Sequence, residues 1–454
     1  MLNTRFIGIL LLVALPAAAE EWTASIKTVH QGSLLDQPST AGQFSHDARG
    51  FYEVLSVPGE AAFRKIGYGP TGREYETYAY LTNFYYTVDL AGSSDIIAWV
   101  VRDTSPGGGD NAARLFVEKQ GVIQSFYNAG SPANYARTKA YVGRVSLSED
   151  GSVVTLPTYI CGTLCDGQVE AWKLDEAGQY RKVVSHKPTD GRPHIGLAAA
   201  SSADRIVSVD VSGTIRNEAS EEIRQTNISI YNIVDGAVLN EASEEITLTV
   251  AELGVEVRSR PSMDIDQNGG TVSLAVRPGQ NNPNNLIPKG GVVVLSKPQP
   301  CVLQCGWSQK GQLIDPAPSL DDFPYAESNG QALLSQDGNT VAVLTGTDCY
   351  EEDGLSDSGV FDPCHSGLIT IWDFNPASDL WEERRGEGLP IAVPMPDNAE
   401  FHYANLSGFD AENGLLGVSI SDENRDRTFT LMKVTIEESS PTGLPIWLLY
   451  EASQ

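Results

Sequence analysis

Residues 333–345 read LLSQDGNTVAVLT, and about twenty residues later the chain continues with GLITIW over 367–372. Two more copies keep the same order: SLSEDGSVVTLPT (146–158) with GQVEAW (167–172), and MDIDQNGGTVSLAV (263–276) with GGVVVL (290–295). In each copy an Asp-Gly or Asn-Gly turn precedes a β-branched strand, and a glycine opens the next strand. The chain is therefore a succession of repeated units of short antiparallel strands.

The turn residue before each leading strand marks the successive units. These markers are Asp150, Asp204, Asn268, Asp337 and Asn413, with Asp95 as a looser first one. A four-stranded propeller blade needs roughly 40–50 residues, which is less than the spacing of the markers. The surplus falls in polar insertions rich in Gly, Pro and Asn, at Pro278–Lys289 and Asp348–Ser366. Such insertions belong on a surface rim.

The repeat predicts an all-β fold, a β-propeller of four-stranded antiparallel blades. We expect seven blades, with six or eight as alternatives. The strands expected within units include Val153–Tyr159, Thr340–Leu344 and Ile446–Tyr450. Residues 20–85 lack the repeated phrase but are long enough for one more blade. Since a closed ring leaves no long edge exposed, Trp22–Val29 is expected to pair near the C-terminal strands.

The first nineteen residues have the pattern of a secretory signal peptide. Arg5 supplies a positive start, Phe6–Leu15 is a short apolar core, and Ala17–Ala19 offers a cleavage site. The apolar run is too short for a transmembrane helix. We therefore expect residues 1–19 to be removed, and residues 20–454 to form a single propeller domain that is secreted or periplasmic.

The composition is strongly acidic, with a formal net charge of −28. Such a surface repels phosphate backbones and anionic lipid headgroups. Nucleic acid and direct membrane binding are thus poor interpretations. A highly charged soluble surface explains the composition more simply than one built for a cationic partner.

The six cysteines fall into three local pairs, and an exported protein meets oxidising conditions. Each pair lies between expected strands, where a hairpin brings its ends within bridging distance. We therefore predict three loop-closing disulfides rather than a metal or redox site, which would need Cys-x-x-Cys spacing. The predicted pairs are Cys161–Cys165, Cys301–Cys305 and Cys349–Cys364.

The units resemble the β-propeller repeats of the WD40-like and FG-GAP (integrin α-like) kind. The matching residues are Leu334–Val343, LSQDGNTVAV, together with Gly367–Trp372, and the resemblance extends over about 85–450. The Gly-His…Trp-Asp pair of WD40 repeats is missing, as is a full integrin-type calcium loop. The resemblance implies a binding platform.

Two stretches invite a calcium interpretation. Asp264–Gly269 matches the first half of an EF-hand loop, but Ala275 stands where the bidentate glutamate belongs, so we interpret it as the repeated turn. The acidic insertion that begins at Asp348 is a stronger candidate for a calcium site, and the alternative is a loop that is simply solvated. Its possible ligands are Asp348, Glu351, Asp353, Asp357 and Asp362.

Sequence motifs for catalysis are missing: there is no His-Glu-x-x-His and no Gly-x-Ser-x-Gly. The expected function is an exported module that binds a protein or glycan through its rim loops. The alternatives are a propeller enzyme, a hydrolase or lyase whose residues converge on the central channel, and a structural spacer.

Overall fold

The structure is a computed structural model. It describes residues 22–31, 39–44, 48, 50–57, 60–69, 72–80, 85–90, 96–103, 112–119, 122–129, 139–142, 145–161, 165–186, 194–202, 205–212, 215–216, 222–223, 225–234, 237–238, 244–249, 262–276, 291–297, 306–316, 327–349, 364–393, 401–422 and 427–438. Within these ranges every regular element is a β-strand and no helix occurs. The all-β prediction is confirmed.

The first half of the described chain forms three sheets after an N-terminal strand, β1 (Trp22–Gln31). Sheet 1 contains β2 (Ser39–Phe44), β3 (Gly50–Val57), β4 (Glu60–Gly69) and β5 (Gly72–Tyr80). Sheet 2 contains β6 (Tyr85–Leu90), β7 (Ile96–Asp103), β8 (Ala112–Lys119) and β9 (Val122–Ala129). Sheet 3 contains β10 (Lys139–Val142), β11 (Ser146–Leu147), β12 (Val153–Cys161), β13 (Cys165–Leu174) and β14 (Tyr180–His186).

The next strands form sheet 4 and a small ribbon. Sheet 4 contains β15 (His194–Ser201) and β16 (Arg205–Ser212), and the ribbon pairs β17 (Ile215–Arg216) with β18 (Glu222–Ile223). Sheet 4 is completed by β19 (Gln225–Val234), β20 (Ala237–Val238) and β21 (Glu244–Thr249). Sheet 5 contains β22 (Ser262–Ile265), β23 (Thr271–Val276), β24 (Gly291–Ser296) and β25 (Ser308–Gln309).

Two sheets complete the described fold. Sheet 6 contains β26 (Glu327–Leu334), β27 (Thr340–Cys349), β28 (Cys364–Asn375) and β29 (Leu380–Glu383). Two short strands follow in the chain: β30 (Gly386–Glu387) pairs with β1, and β31 (Ile391–Ala392) pairs with β28 of sheet 6. Sheet 7 contains β32 (Phe401–Asp410), β33 (Leu415–Asp422) and β34 (Arg427–Glu438). Its fourth strand is β1, antiparallel to β34 from Trp22 opposite Glu438. The predicted pairing of the N-terminal strand with the C-terminal strands is confirmed.

The sheets contact one another in a closed circle. The leading strands touch in the order β2, β6, β11, β15, β22, β26 and β32, and β32 in turn touches β2. Consecutive antiparallel sheets that meet through their leading strands define a propeller-type fold. The repeated sequence phrase thus predicted both the unit and the way the units associate.

The apolar core lies between neighbouring sheets. Leu115 of sheet 2 packs in one cluster with Leu156 and Trp172 of sheet 3. A second cluster joins sheets 5 and 6 around Trp372 and Trp381, and a third joins sheets 6 and 7. Trp172, Trp372 and Trp381 therefore belong to the core between sheets, as expected for large aromatic side chains.

Two predicted boundaries were wrong in the same way. β12 continues beyond Tyr159, and β27 continues beyond Leu344 to Cys349. The hairpin ladder goes on through polar residues, with Thr347 opposite Ser366, because backbone pairing needs no apolar side chain. The insertion predicted at Asp348–Ser366 is shorter by the residues that these strands absorb.

Other predictions fall on residues that the structure does not describe. These include the signal peptide, the insertion Pro278–Lys289 and the strand Ile446–Tyr450. Among the described residues, no helix is long and apolar enough to cross a membrane.

Candidate functional site

The two ends of the strands differ. Turns from the first to the second strand of sheets 3, 4, 5 and 6 contact one another at one end, which we call the turn end. Because the sheets are antiparallel, connections from the second to the third strand leave from the opposite end, the insertion end. There, β23 and β24 bracket residues 277–290, and β27 and β28 bracket residues 350–363.

The turns of sheets 3 and 6 share one hydrogen-bond design. In sheet 6 the Ser335 hydroxyl accepts from the backbone N–H of Thr340 (2.9 Å) and donates to the Asp337 carboxylate (2.6 Å). Ser148 and Asp150 repeat these contacts in sheet 3. A glycine with positive φ follows each aspartate, a conformation that L-residues with a Cβ disfavour. The serine thus links the turn to the buried second strand.

Sheet 5 has the same turn, but its aspartate is the first residue of the turn instead of the third. Asp266 stands where Ser335 stands in sheet 6, and its Oδ1 accepts from the N–H groups of Gly270 (2.6 Å) and Thr271 (3.0 Å). Asp266 is only 4% exposed. Its contacts confirm that the EF-hand-like stretch is a structural turn.

Burial and hydrogen bonding shift the pKa values of Asp266 and Asp337 in opposite directions. Burial raises the pKa of Asp266, and its backbone N–H donors and the nearby Arg205 and Lys310 oppose this rise without cancelling it. Burial also acts to raise the pKa of Asp337, but hydrogen bonds from Ser335 and Asn339 prevail and lower it.

Two basic side chains connect neighbouring turns. Arg205 of sheet 4 donates to the carbonyl of Gly269 in sheet 5 and lies over the ring of Trp307. Lys310 of sheet 5 donates to the carbonyl of Gly338 (2.7 Å) in sheet 6.

Lys310 is also held by two rings of sheet 6. Its Nζ lies 4.5 Å from the ring centroid of Phe374 and 5.5 Å from that of Trp381. Burial lowers the pKa of Lys310, against the attraction of Asp266 and Asp337. Both basic groups are therefore engaged in contacts that join one sheet to the next.

One contact at the turn end joins sheets that are not neighbours. The Gln336 amide of sheet 6 donates to the Glu149 carboxylate of sheet 3, 187 residues away. The backbone N–H of Gln267 in sheet 5 donates to the carbonyl of Gln336 (3.1 Å). Sequence reasoning missed this contact.

Two glutamines form clamps between neighbouring sheets, which sequence reasoning also missed. Gln124 of sheet 2 donates to the Gly178 carbonyl (2.7 Å) and accepts from the Tyr180 N–H (3.0 Å) of sheet 3. Gln312 repeats this between sheets 5 and 6, with both the carbonyl and the N–H of Trp381 at 2.7 Å. The sequence holds no shared pattern for them, since Gln124 is three residues after a glycine and Gln312 directly follows one.

The structure describes the backbone positions of two of the three predicted cysteine pairs. Cys161 lies opposite Cys165 in the register of β12 and β13, and Cys349 lies opposite Cys364 in that of β27 and β28. Both pairs stand at the insertion end. Cys301 and Cys305 lie outside the described residues.

Of the five candidate calcium ligands, the structure describes only the first. Asp348 belongs to β27, and the other four candidate ligands lie outside the described residues: Glu351, Asp353, Asp357 and Asp362. Among the residues that the structure does describe, no group of three or more His, Cys, Asp or Glu side chains could hold a metal ion.

No protein-family model and no curated protein matches the chain. Among solved structures it is similar to a polysaccharide lyase, with 11% identity over 88% of this chain and 91% of that one and a TM-score of 0.47. It is also similar to the WD40 domain of Toxoplasma gondii coronin, with 9% identity over 92% and 88% and a TM-score of 0.45. A prolyl oligopeptidase from Galerina marginata shows 14% identity over 85% and 47%, with a TM-score of 0.39.

Proposed function

We propose that this chain is an exported seven-bladed propeller that binds a protein or glycan through its insertion end, without catalysis. The contrast between the two ends is the observation that carries the proposal. At the turn end, Arg205, Asp266 and Lys310 are engaged in contacts within and between sheets. Long segments leave from the insertion end, and binding residues of rigid scaffolds concentrate on such loops.

The number of blades follows from taking each of the seven sheets as one blade. Each of the seven sheets has four or five strands, and their leading strands form the circle of contacts. β1 completes the last sheet, which would otherwise have three strands and an open edge along β34. Export is supported only by the N-terminal sequence pattern.

The two ends can be compared directly in a binding assay. One variant replaces 278–289 and another replaces 351–362, each by a two-residue Asn-Gly turn. We expect both to keep the β-rich circular dichroism of the wild type and at least one to lose binding on a glycan array or in pull-down with purified candidate proteins. The matched control is Arg181→Ala, an exposed change on the turn end.

Retained binding by both shortened variants would overturn the insertion-end proposal, and loss of binding in the control would favour a site at the turn end. A turnover of polysaccharide or peptide substrates that disappears in the shortened variants would favour the enzyme alternative instead.

We further propose three disulfides, two of which the strand register supports. Residues directly opposite in an antiparallel pair have Cα atoms about 4.5–5.5 Å apart, inside the range that a disulfide spans. Alkylation under non-reducing conditions should modify no thiol by mass, and reduction should lower the melting temperature. Six alkylated thiols without reduction would contradict the proposal.

Calcium in the acidic insertion remains a proposal that a thermal melt tests. The oxygen-rich residues 348–362 suit a hard cation. We expect millimolar calcium to raise the melting temperature relative to EDTA in the wild type, but not after replacement of 351–362. Equal melting temperatures, with no metal found by mass spectrometry, would remove this proposal.

A further inference from the structure

The contact between Glu149 and Gln336 has an unusual place in the circle of sheets. Glu149 is the second residue of the sheet 3 turn, and Gln336 is the second residue of the sheet 6 turn. Sheets 4 and 5 lie between these two along one arc, and sheets 7, 1 and 2 along the other. A hydrogen bond between them therefore crosses the centre of the circle.

The neighbouring contacts hold both partners in position. Gln336 accepts the backbone N–H of Gln267 through its carbonyl, so its own backbone is anchored to sheet 5. Glu149 follows Ser148, whose hydroxyl is tied to Asp150 and to the N–H of Val153. Both side chains are half-buried, and an amide that donates to a carboxylate makes a charge-assisted hydrogen bond.

We propose that Glu149 and Gln336 form a cross-channel tie, which fixes the distance between sheets 3 and 6 and obstructs the central channel at the turn end. Among the described residues, the apolar clusters join neighbouring sheets, namely sheets 2 and 3, sheets 5 and 6, and sheets 6 and 7. The tie adds a constraint across the circle. A partner group that enters the channel then comes from the insertion end, which is where the proposed binding loops emerge.

A reciprocal exchange of the two side chains tests the tie. Gln336→Glu places two carboxylates against each other, and we expect the unfolding equilibrium constant in urea to rise roughly tenfold at low salt. Adding Glu149→Gln restores an amide–carboxylate pair in the opposite direction. The double variant should regain at least half of the lost urea midpoint.

The control separates this pair from a general relief of negative charge. Gln267→Glu adds the same charge at the same position of the neighbouring turn, outside the tie. Glu149→Gln should rescue Gln267→Glu clearly less than it rescues Gln336→Glu. Equal rescue of both, or rescue of neither, overturns the proposal.

A second measurement remains informative if Gln336→Glu fails to fold. The double variant Glu149→Cys/Gln336→Cys, treated with a short bifunctional thiol reagent, should give a crosslinked band of altered mobility on a denaturing gel. Absence of that band in a folded variant also overturns the tie. Neither result depends on whether the insertion end binds a partner, so this proposal and the proposed function fail separately.

Discussion

The turns of sheets 5 and 6 have the same backbone and the same task, yet they place their carboxylate differently. In sheet 6 a buried serine binds the second strand and an exposed aspartate, Asp337, supports the serine. In sheet 5 Asp266 binds the second strand directly and is itself buried. One repeated structure therefore tolerates two electrostatic solutions, one that favours ionisation and one that opposes it.

The largest expected effect tests the packing that the two turns share. Gly338 has φ of +70°, and a Cβ there would lie 2.6 Å from Thr271 Oγ1 of sheet 5. We expect Gly338→Ala to cost about 2–5 kcal/mol of unfolding free energy, from left-handed strain plus the clash. Gly178→Ala is the matched control, since its φ is +75° but nothing lies within 4 Å.

The control should cost only the strain, about 1–2 kcal/mol. Urea denaturation of both variants measures the difference between them. Equal costs for Gly338→Ala and Gly178→Ala would show that the two turns do not press on each other.

How much the sequence predicts can be judged on these same turns. The Asp-Gly and Asn-Gly phrases predicted the turns, the strands after them and the units, because the backbone conformation depends on residues within a few positions. The direction of each pKa shift was not predictable. It depends on how deeply the assembled sheets bury each carboxylate and on which hydrogen bonds the carboxylate accepts, and the basic side chains of neighbouring sheets contribute least.

The inter-sheet contacts show the same limit. Gln312 meets Trp381 across 69 residues, and Glu149 meets Gln336 across 187. A single sequence gives no local pattern for such pairs, because the partners lie far apart in the chain and meet only when the sheets assemble. Local chemistry thus predicts the repeat, whereas the joints between repeats require the assembled circle.

The second-largest expected change in stability comes from converting the turn of sheet 6 into that of sheet 5. Ser335→Ala should cost about 1–3 kcal/mol, because the N–H of Thr340 loses its hydroxyl acceptor in a buried place. Ser335→Asp puts a carboxylate beside Asp337. The double variant Ser335→Asp/Asp337→Asn reproduces the residues of sheet 5 and should be more stable than Ser335→Asp alone by urea denaturation. If Asp337→Asn gives no gain in that background, the two turns are not interchangeable.

The smallest expected effect is a pH dependence of opposite sign in the two turns. The pKa of Asp266 is raised, so the folded state binds more protons than the unfolded state above about pH 3.8, the ordinary aspartate value. Wild-type stability therefore falls as the pH rises through this window. Asp266→Asn keeps an oxygen acceptor but does not titrate, so its stability relative to the wild type should increase from acid to neutral pH.

Asp337→Asn provides the opposite case. In the wild type the pKa of Asp337 is lowered from the ordinary value of 3.8. The folded state therefore holds fewer protons than the unfolded state as the pH falls below 3.8, and the wild type loses stability there. The variant lacks that loss, and its stability relative to the wild type should decrease as the pH rises from strong acid through this window. Urea midpoints measured across the acidic range for both variants give the two slopes. Slopes of the same sign would mean that both carboxylates experience the same environment, and that the difference between the turns is one of sequence alone.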